Sequence, residues 1–173
     1  KTLGEETTNY YYQNGKLLAQ DNGNVIFFNY GESGVEGFTY MGVGEYYYKK
    51  NLLGDIISII DDSNSEIVRY KYDAYGNHKT YILNDGSFVD IESEVSYTTN
   101  GLNNKLISEI NPFRYRGYYY DTETKLYYLQ SRYYDPEVGR FISIDKLDNL
   151  DGENIEGLNL YAYCGNDPVN YAD

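Results

Sequence analysis

The sequence predicts an all-β protein, a strip of antiparallel hairpins, and three observations predict it. Tyrosine supplies 24 of the 173 residues, against 6 phenylalanines and no tryptophan. Tyrosine favours strands and carries a hydroxyl that needs a partner when its ring is buried, so the bias points to sheet with one wet or polar-lined face. Turn signals recur at short intervals, at Asn14-Gly15, Asp21 to Asn24, Asp61 to Ser65, Tyr75-Gly76-Asn77, Asp121 to Lys125 and Asp135 to Gly139. These are the punctuation of hairpins. Between two of them Val68, Tyr70 and Tyr72 alternate with Ile67, Arg69 and Lys71, the period of two that marks a half-buried strand.

Taken in order, Ile56 to Ile60 is an apolar run of strand length, and the turn from Asp61 to Ser65 sends the chain back antiparallel. The rings of Tyr70 and Tyr72 are therefore expected on the face opposite Arg69 and Lys71. Downstream, Phe113 to Tyr120, Leu126 to Tyr134 and Arg140 to Asp145, separated by the turns at 121–125 and 135–139, predict a three-stranded meander. From Asn84 to Asn111 the pattern weakens into polar and small residues. This reads as an inserted loop with at most one short strand around Val95 to Thr98. The spacing of Leu102, Leu106, Ile107 and Ile110 allows one or two helical turns before Pro112. Tyrosine triplets at 46–48 and 118–120, and Tyr-Asp dipeptides beginning at 72, 120 and 134, read as internal repeats. Such units bury their faces only against neighbours and leave open edges. The organisation expected is repeat-like hairpins over 1–83, the inserted loop over 84–111 and a distinct closing domain over 112–173.

Charge and composition exclude several classes. Aspartate and glutamate total 27 against 14 lysines and arginines, a net charge of -13 that repels phosphate backbones. The arginines, at 69, 114, 116, 132 and 140, are interleaved with carboxylates, so no nucleic-acid partner is expected. The single Cys164 and single His78 leave no intramolecular disulfide and no His/Cys metal cluster. No metal and no cofactor are expected. No apolar run is long enough for a membrane helix, and no signal-peptide pattern opens the sequence, which leaves export by other routes open. His78 reads as a strand-start residue beyond a turn, Cys164 as a small buried thiol, and Asp148 to Glu153 as a solvated loop.

The segment Asn111-Pro-Phe-Arg-Tyr-Arg-Gly-Tyr-Tyr-Tyr-Asp121, continued by Leu126-Tyr-Tyr-Leu-Gln-Ser-Arg-Tyr-Tyr-Asp-Pro-Glu-Val-Gly-Arg-Phe-Ile-Ser143, resembles the core domain of bacterial RHS (rearrangement hotspot) proteins. Asn159-Leu-Tyr-Ala-Tyr-Cys-Gly-Asn-Asp-Pro-Val-Asn-Tyr-Ala-Asp173 is similar to the closing motif of that core, and Tyr46 to Tyr81 looks like the YD repeats that precede it. The resemblance implies a strip of sheet that, in a complete protein, spirals into a hollow shell around a C-terminal toxin. The partners implied are the rest of the same polypeptide and that toxin, in a bacterial protein that is secreted or held at the cell surface.

The resemblance also implies a self-cleaving site, in which an arginine and two aspartates cut the chain just after the closing motif. Matched motif to motif, they are Arg132, Asp145 and Asp173, with Asp148 and Asp151 as alternatives for the first carboxylate. Two carboxylates brought close cannot both ionise, so one keeps a proton and the pair supplies an acid and a base. Arg132 would orient one of them. A reading from a different class is a surface module that binds envelope carbohydrate through exposed tyrosines. A stand-alone hydrolase is the third.

Overall fold

The computed structural model describes residues 1–3, 6–129, 131–144 and 160–171. A short antiparallel pair, β1 (Thr2–Leu3) and β2 (Glu6–Thr7), opens the chain. It is followed by β3 (Asn9–Gln13), β4 (Lys16–Asp21), β5 (Val25–Gly31), β6 (Gly34–Tyr40), β7 (Gly44–Lys50), β8 (Ile56–Asp61), β9 (Glu66–Tyr72), β10 (His78–Asn84) and β11 (Ser87–Asp90). These form one 9-stranded antiparallel sheet whose spatial order is the sequence order. The strip is open, with β3 at one edge and β11 at the other. The all-β antiparallel class expected from tyrosine content and turn spacing is the class observed.

The β8–β9 hairpin shows why the alternation works. Ser58 faces Arg69 and Ile59 faces Val68, so Val68 and Tyr70 are buried while Lys71 is exposed. Ile67 is buried as well, because Ile60 faces Glu66 and leaves Ile67 without a partner across the ladder. A bulge lets two consecutive side chains turn toward one face. The same two-against-one arrangement recurs at Leu18, Glu36 and Ile57. Each bulge increases the local twist, so the strip coils rather than lying flat.

The buried face carries Leu17, Ile26, Phe28, Phe38, Ile59, Val68, Tyr70 and Ile82. Helix α1 (Thr99–Ile110) closes over it through Ile107, together with Phe113, whose ring meets Phe28 edge-on at 4.9 Å. Thr98 caps the helix, its hydroxyl accepting from the Gly101 N–H at 3.1 Å. Asn84 fixes that cap, its side-chain oxygen accepting from the Thr98 N–H and hydroxyl.

Three elements differ from the sequence expectation. The strand after Asn84 is Ser87–Asp90, not 95–98, because Asp85 and Gly86 form a tight turn at φ +49° and +77° and fold the chain straight back on β10. The helix runs for 12 residues, longer than one or two turns. The expected meander has four strands, β12 (Tyr119–Asp121), β13 (Leu126–Leu129), β14 (Arg132–Asp135) and β15 (Arg140–Phe141). The run from Leu126 to Tyr134 is two strands, with Leu129 facing Arg132. That reversal sets Tyr127 opposite Tyr134 on one face, where both are fully buried. Residues 115–117 form a 3₁₀ turn with Arg116 at φ +50°, not a strand, and Phe113 keeps only a bridge to Tyr119. A second core of Tyr115, Tyr127, Tyr134, Phe141, Tyr163 and Cys164 lies against this smaller sheet. Among the described residues no helix is long and apolar enough to cross a membrane.

Candidate functional site

Of the residues singled out by motif, Arg132 lies within the described structure, while Asp145, Asp173, Asp148 and Asp151 lie outside the described residues. Arg132 opens β14, and its guanidinium sits 3.5 Å from the centre of the Phe141 ring on β15. The turn between these strands is held by Asp135, whose carboxylate accepts from the Glu137 and Val138 N–H groups at 2.9 and 3.2 Å. Phe141 is buried against Tyr134 and Tyr163. The arginine therefore rests on a fixed aromatic platform, a geometry worth on the order of 1 kcal/mol for a partly exposed cation. The closing segment returns across this sheet, since the Phe141 N–H donates to the Tyr161 carbonyl at 3.1 Å and Arg140 bridges Ala162.

The Tyr-Asp dipeptides acquire a physical reason in the same region. In each, the dipeptide closes a strand, which ends at Tyr72 in the first and at the aspartate itself, Asp121 or Asp135, in the other two, and the aspartate caps the turn that follows. Asp73 accepts from the Tyr75 and Asn77 N–H groups at 2.9 and 3.0 Å, and Asp121 accepts from the Glu123 N–H at 3.2 Å. An aspartate side chain mimics a backbone turn in this way. With its donors satisfied by Asp73, the 73–77 turn presents its carbonyls to the second core. Tyr115 donates to the Ala74 carbonyl at 2.7 Å, Tyr134 to the Tyr75 carbonyl at 2.7 Å and Tyr127 to the Gly76 carbonyl at 2.9 Å. Tyrosine abundance thus serves a seam between the two sheets as well as any polar-lined face.

His78, the first residue of β10, lies beside this seam. Its Nε2 meets Arg114 Nη1, its Nδ1 is 3.3 Å from the Tyr127 hydroxyl, and its ring abuts Tyr120 edge-on at 4.7 Å. Burial, reinforced by the Arg114 charge, pushes its pKa down to about 3. Arg114 is itself buried. It lies over the rings of Tyr120 and Tyr70 at 4.6 and 5.4 Å and donates to the Ser108 carbonyl at 3.3 Å, with no carboxylate within 4 Å among the described residues. Next to it, fully buried Asn111 accepts from the Tyr48 hydroxyl at 2.5 Å and donates to the Tyr70 hydroxyl and the Phe113 carbonyl at 3.2 and 2.8 Å. This network contains no carboxylate and no activated nucleophile, so its chemistry is that of a fastening. Sequence reading placed His78 at a strand start, where it is, but gave Arg114 no role. The Phe113-Arg114-Tyr115-Arg116 run was visible, yet its partner is 36 residues away.

One open cleft stands apart. A groove of about 810 Å³ runs between the β3 edge and the smaller sheet, walled by Tyr10, Tyr12, Tyr119, Tyr128, Tyr133 and Ile142.

No family model matches the chain. It is 35% identical over 178 residues to the tRNA nuclease WapA of Bacillus subtilis strain 168, an alignment that covers 100% of this chain and 7% of that protein. It is 49% identical over 58 residues to the toxin protein Tse5 of Pseudomonas aeruginosa, covering 34% of this chain and 4% of that one. Among solved structures, the crystal structure of TcdB2-TccC3 without its hypervariable C-terminal region matches with a TM-score of 0.64 at 21% identity, over 100% of this chain and 8% of that chain. That likeness is one of fold. The chain spans 7% of the length of the WapA relative, so what these names say describes far longer proteins.

Proposed function

We propose that this chain is shell and core material of an RHS-type polymorphic toxin, with YD-repeat hairpins over 1–83 and the core domain over 112–173. The observation that carries this reading is the open, unbroken 9-stranded strip with recurrent bulges, which shares its fold with TcdB2-TccC3 over the whole chain. Resemblance to relatives named as a nuclease and a toxin supports the toxin context and delivery outside the producing cell. In this reading the sheet's role is to enclose a C-terminal toxin, and its partners are the remaining polypeptide and that toxin.

Release would follow from Arg132, Asp145 and Asp173. One carboxylate takes a proton from water, whose hydroxyl adds to the scissile carbonyl carbon, and the protonated carboxylic acid gives its proton to the departing amine. Arg132, seated on Phe141, orients one carboxylate. The reaction uses water and no cofactor. The test is to extend the chain past Asp173 with its natural downstream sequence and a reporter domain. Two pieces are expected on a gel, and Asp145→Asn or Asp173→Asn should leave one, since the amide keeps shape and loses the proton chemistry. An extended wild type that stays whole, or two Asn variants that both split, overturns the assignment.

The groove walled by Tyr12, Tyr128 and Tyr133 favours a second reading, a surface that binds envelope carbohydrate by stacking sugars on rings. A glycan array separates the two. Specific binding that Tyr12→Ala and Tyr133→Ala abolish supports the carbohydrate reading, and no binding removes it.

A further inference from the structure

The donors around His78 fix its protonation state by geometry. A guanidinium can only donate, so Nε2, which meets Arg114 Nη1, must present a lone pair. The Tyr127 hydroxyl donates to the Gly76 carbonyl at 2.9 Å, which leaves it to accept from the Nδ1–H at 3.3 Å. The folded chain therefore requires a neutral imidazole with its proton on Nδ1. Adding a proton to Nε2 would set two cationic donors face to face, a half-buried ring against a buried guanidinium.

The groups packed around the ring offer the added charge little relief. Tyr70 and Tyr72 on β9 approach at 6.2 and 6.0 Å between ring centres, Tyr120 on β12 and Tyr127 on β13 cover the other side, and Arg114 closes the end. Glu92, Glu109 and Lys125 line a cavity of about 200 Å³ beside it, but among the described residues no carboxylate comes within 4 Å of the ring. Glu109 is paired instead with Lys105.

We propose that the His78–Arg114 pair is an acid-sensitive latch on the seam between the sheets, which protonation of His78 opens by driving Arg114 and the Tyr127-bound turn apart. A neutral folded-state imidazole and a titrating unfolded one give the direction. The folded pKa of about 3 lies below the ordinary 6.5, so the stability conferred by the neutral ring is complete above pH 6.5 and is lost as pH falls toward 3. Within that window each pH unit weakens folding by up to about tenfold, because the unfolded chain binds one proton more.

Urea unfolding of the 173-residue chain and of His78→Gln, compared at pH 7.5 and 5, tests this. Glutamine keeps an acceptor for Arg114 and does not titrate, and losses from carboxylates are common to both. The folding equilibrium constant of the wild type relative to the variant is expected to fall about 30-fold between the two pH values. A ratio that stays within about threefold overturns the latch. Because the chain has 1 histidine, the ring nitrogen signals in a ¹⁵N spectrum need no assignment, which decides the matter even where His78→Gln does not fold. A neutral, Nδ1-protonated ring at pH 5 supports the proposal. Titration near pH 6.5 overturns it.

Discussion

Tyr127→Ala is expected to lower stability by about 4 kcal/mol, within the range of about 3–5 kcal/mol seen for deleting a buried aromatic ring. Tyr127 is fully buried, with ring centres of Tyr120, Tyr115 and Tyr134 at 4.9, 5.9 and 6.4 Å. Alanine leaves a cavity in the second core and strips the Gly76 carbonyl and the His78 N–H of their partner. Each buried polar group left unpaired costs about 1–3 kcal/mol. Tyr127→Phe removes only the hydroxyl and is expected to cost about 1–2 kcal/mol. Tyr133→Ala is the control. It pairs across from Tyr128 on the more exposed side of the same sheet, and its removal should cost about 1 kcal/mol or less. Urea midpoints at constant slope give all three values. If Tyr127→Ala and Tyr133→Ala lose equal stability, the buried ring is not what fastens the sheets. For a chain of this size the alanine variant should melt roughly 10–15 °C lower.

The features legible in the sequence were those written in short-range code. Alternation from Ile67 to Tyr72 gave the strand, its face and its antiparallel partner because the side-chain period of two is a property of the extended backbone. The bulge at Ile67 was not legible, since nothing in Glu66-Ile67-Val68 marks a residue without a partner. The reversal between Leu129 and Arg132 was missed for a related reason: no glycine, proline or asparagine stands there, and cross-strand burial of Tyr127 and Tyr134 sets the register instead. The Asp85-Gly86 turn did carry its signal, which the polar surroundings of that stretch masked. Tyr-Asp dipeptides were recognisable as a repeat, but their reason is visible only in three dimensions, where the aspartate caps a turn and, at 73–77, the hydroxyls of Tyr115, Tyr127 and Tyr134 donate to the turn's carbonyls. As for the candidate site, Arg132 and the two aspartates came from motif resemblance. The ring beneath Arg132 is a tertiary contact between adjacent strands that spacing did not announce.

Gly76→Ala is the second large effect, and Gly15→Ala calibrates it. Both glycines sit in turns at positive φ, +91° and +76°, a conformation in which a β-carbon costs about 1–2 kcal/mol. At Gly15 nothing lies within 4 Å of an added methyl, so backbone strain is the whole cost. At Gly76 the methyl would stand 2.6 and 2.8 Å from Cδ1 and Cγ of Tyr115. That ring cannot step aside freely. Its hydroxyl is bonded to the Ala74 carbonyl at 2.7 Å, and Tyr72 and Tyr127 pack against it at 5.8 and 5.9 Å. Forcing it to move adds about 1–3 kcal/mol of overpacking to the backbone strain, and breaking its hydrogen bond adds more. The expected loss is about 3–5 kcal/mol for Gly76→Ala against about 1–2 kcal/mol for Gly15→Ala, read from urea midpoints. A cycle with Tyr115→Leu isolates the clash, because the slimmer side chain gives the methyl room while leaving the φ penalty in place. In that background Gly76→Ala should cost about 1–2 kcal/mol, close to the Gly15 value. Were the cost of Gly76→Ala the same with and without the Tyr115 ring, the turn would be held by its own backbone conformation rather than by the second core pressing on it.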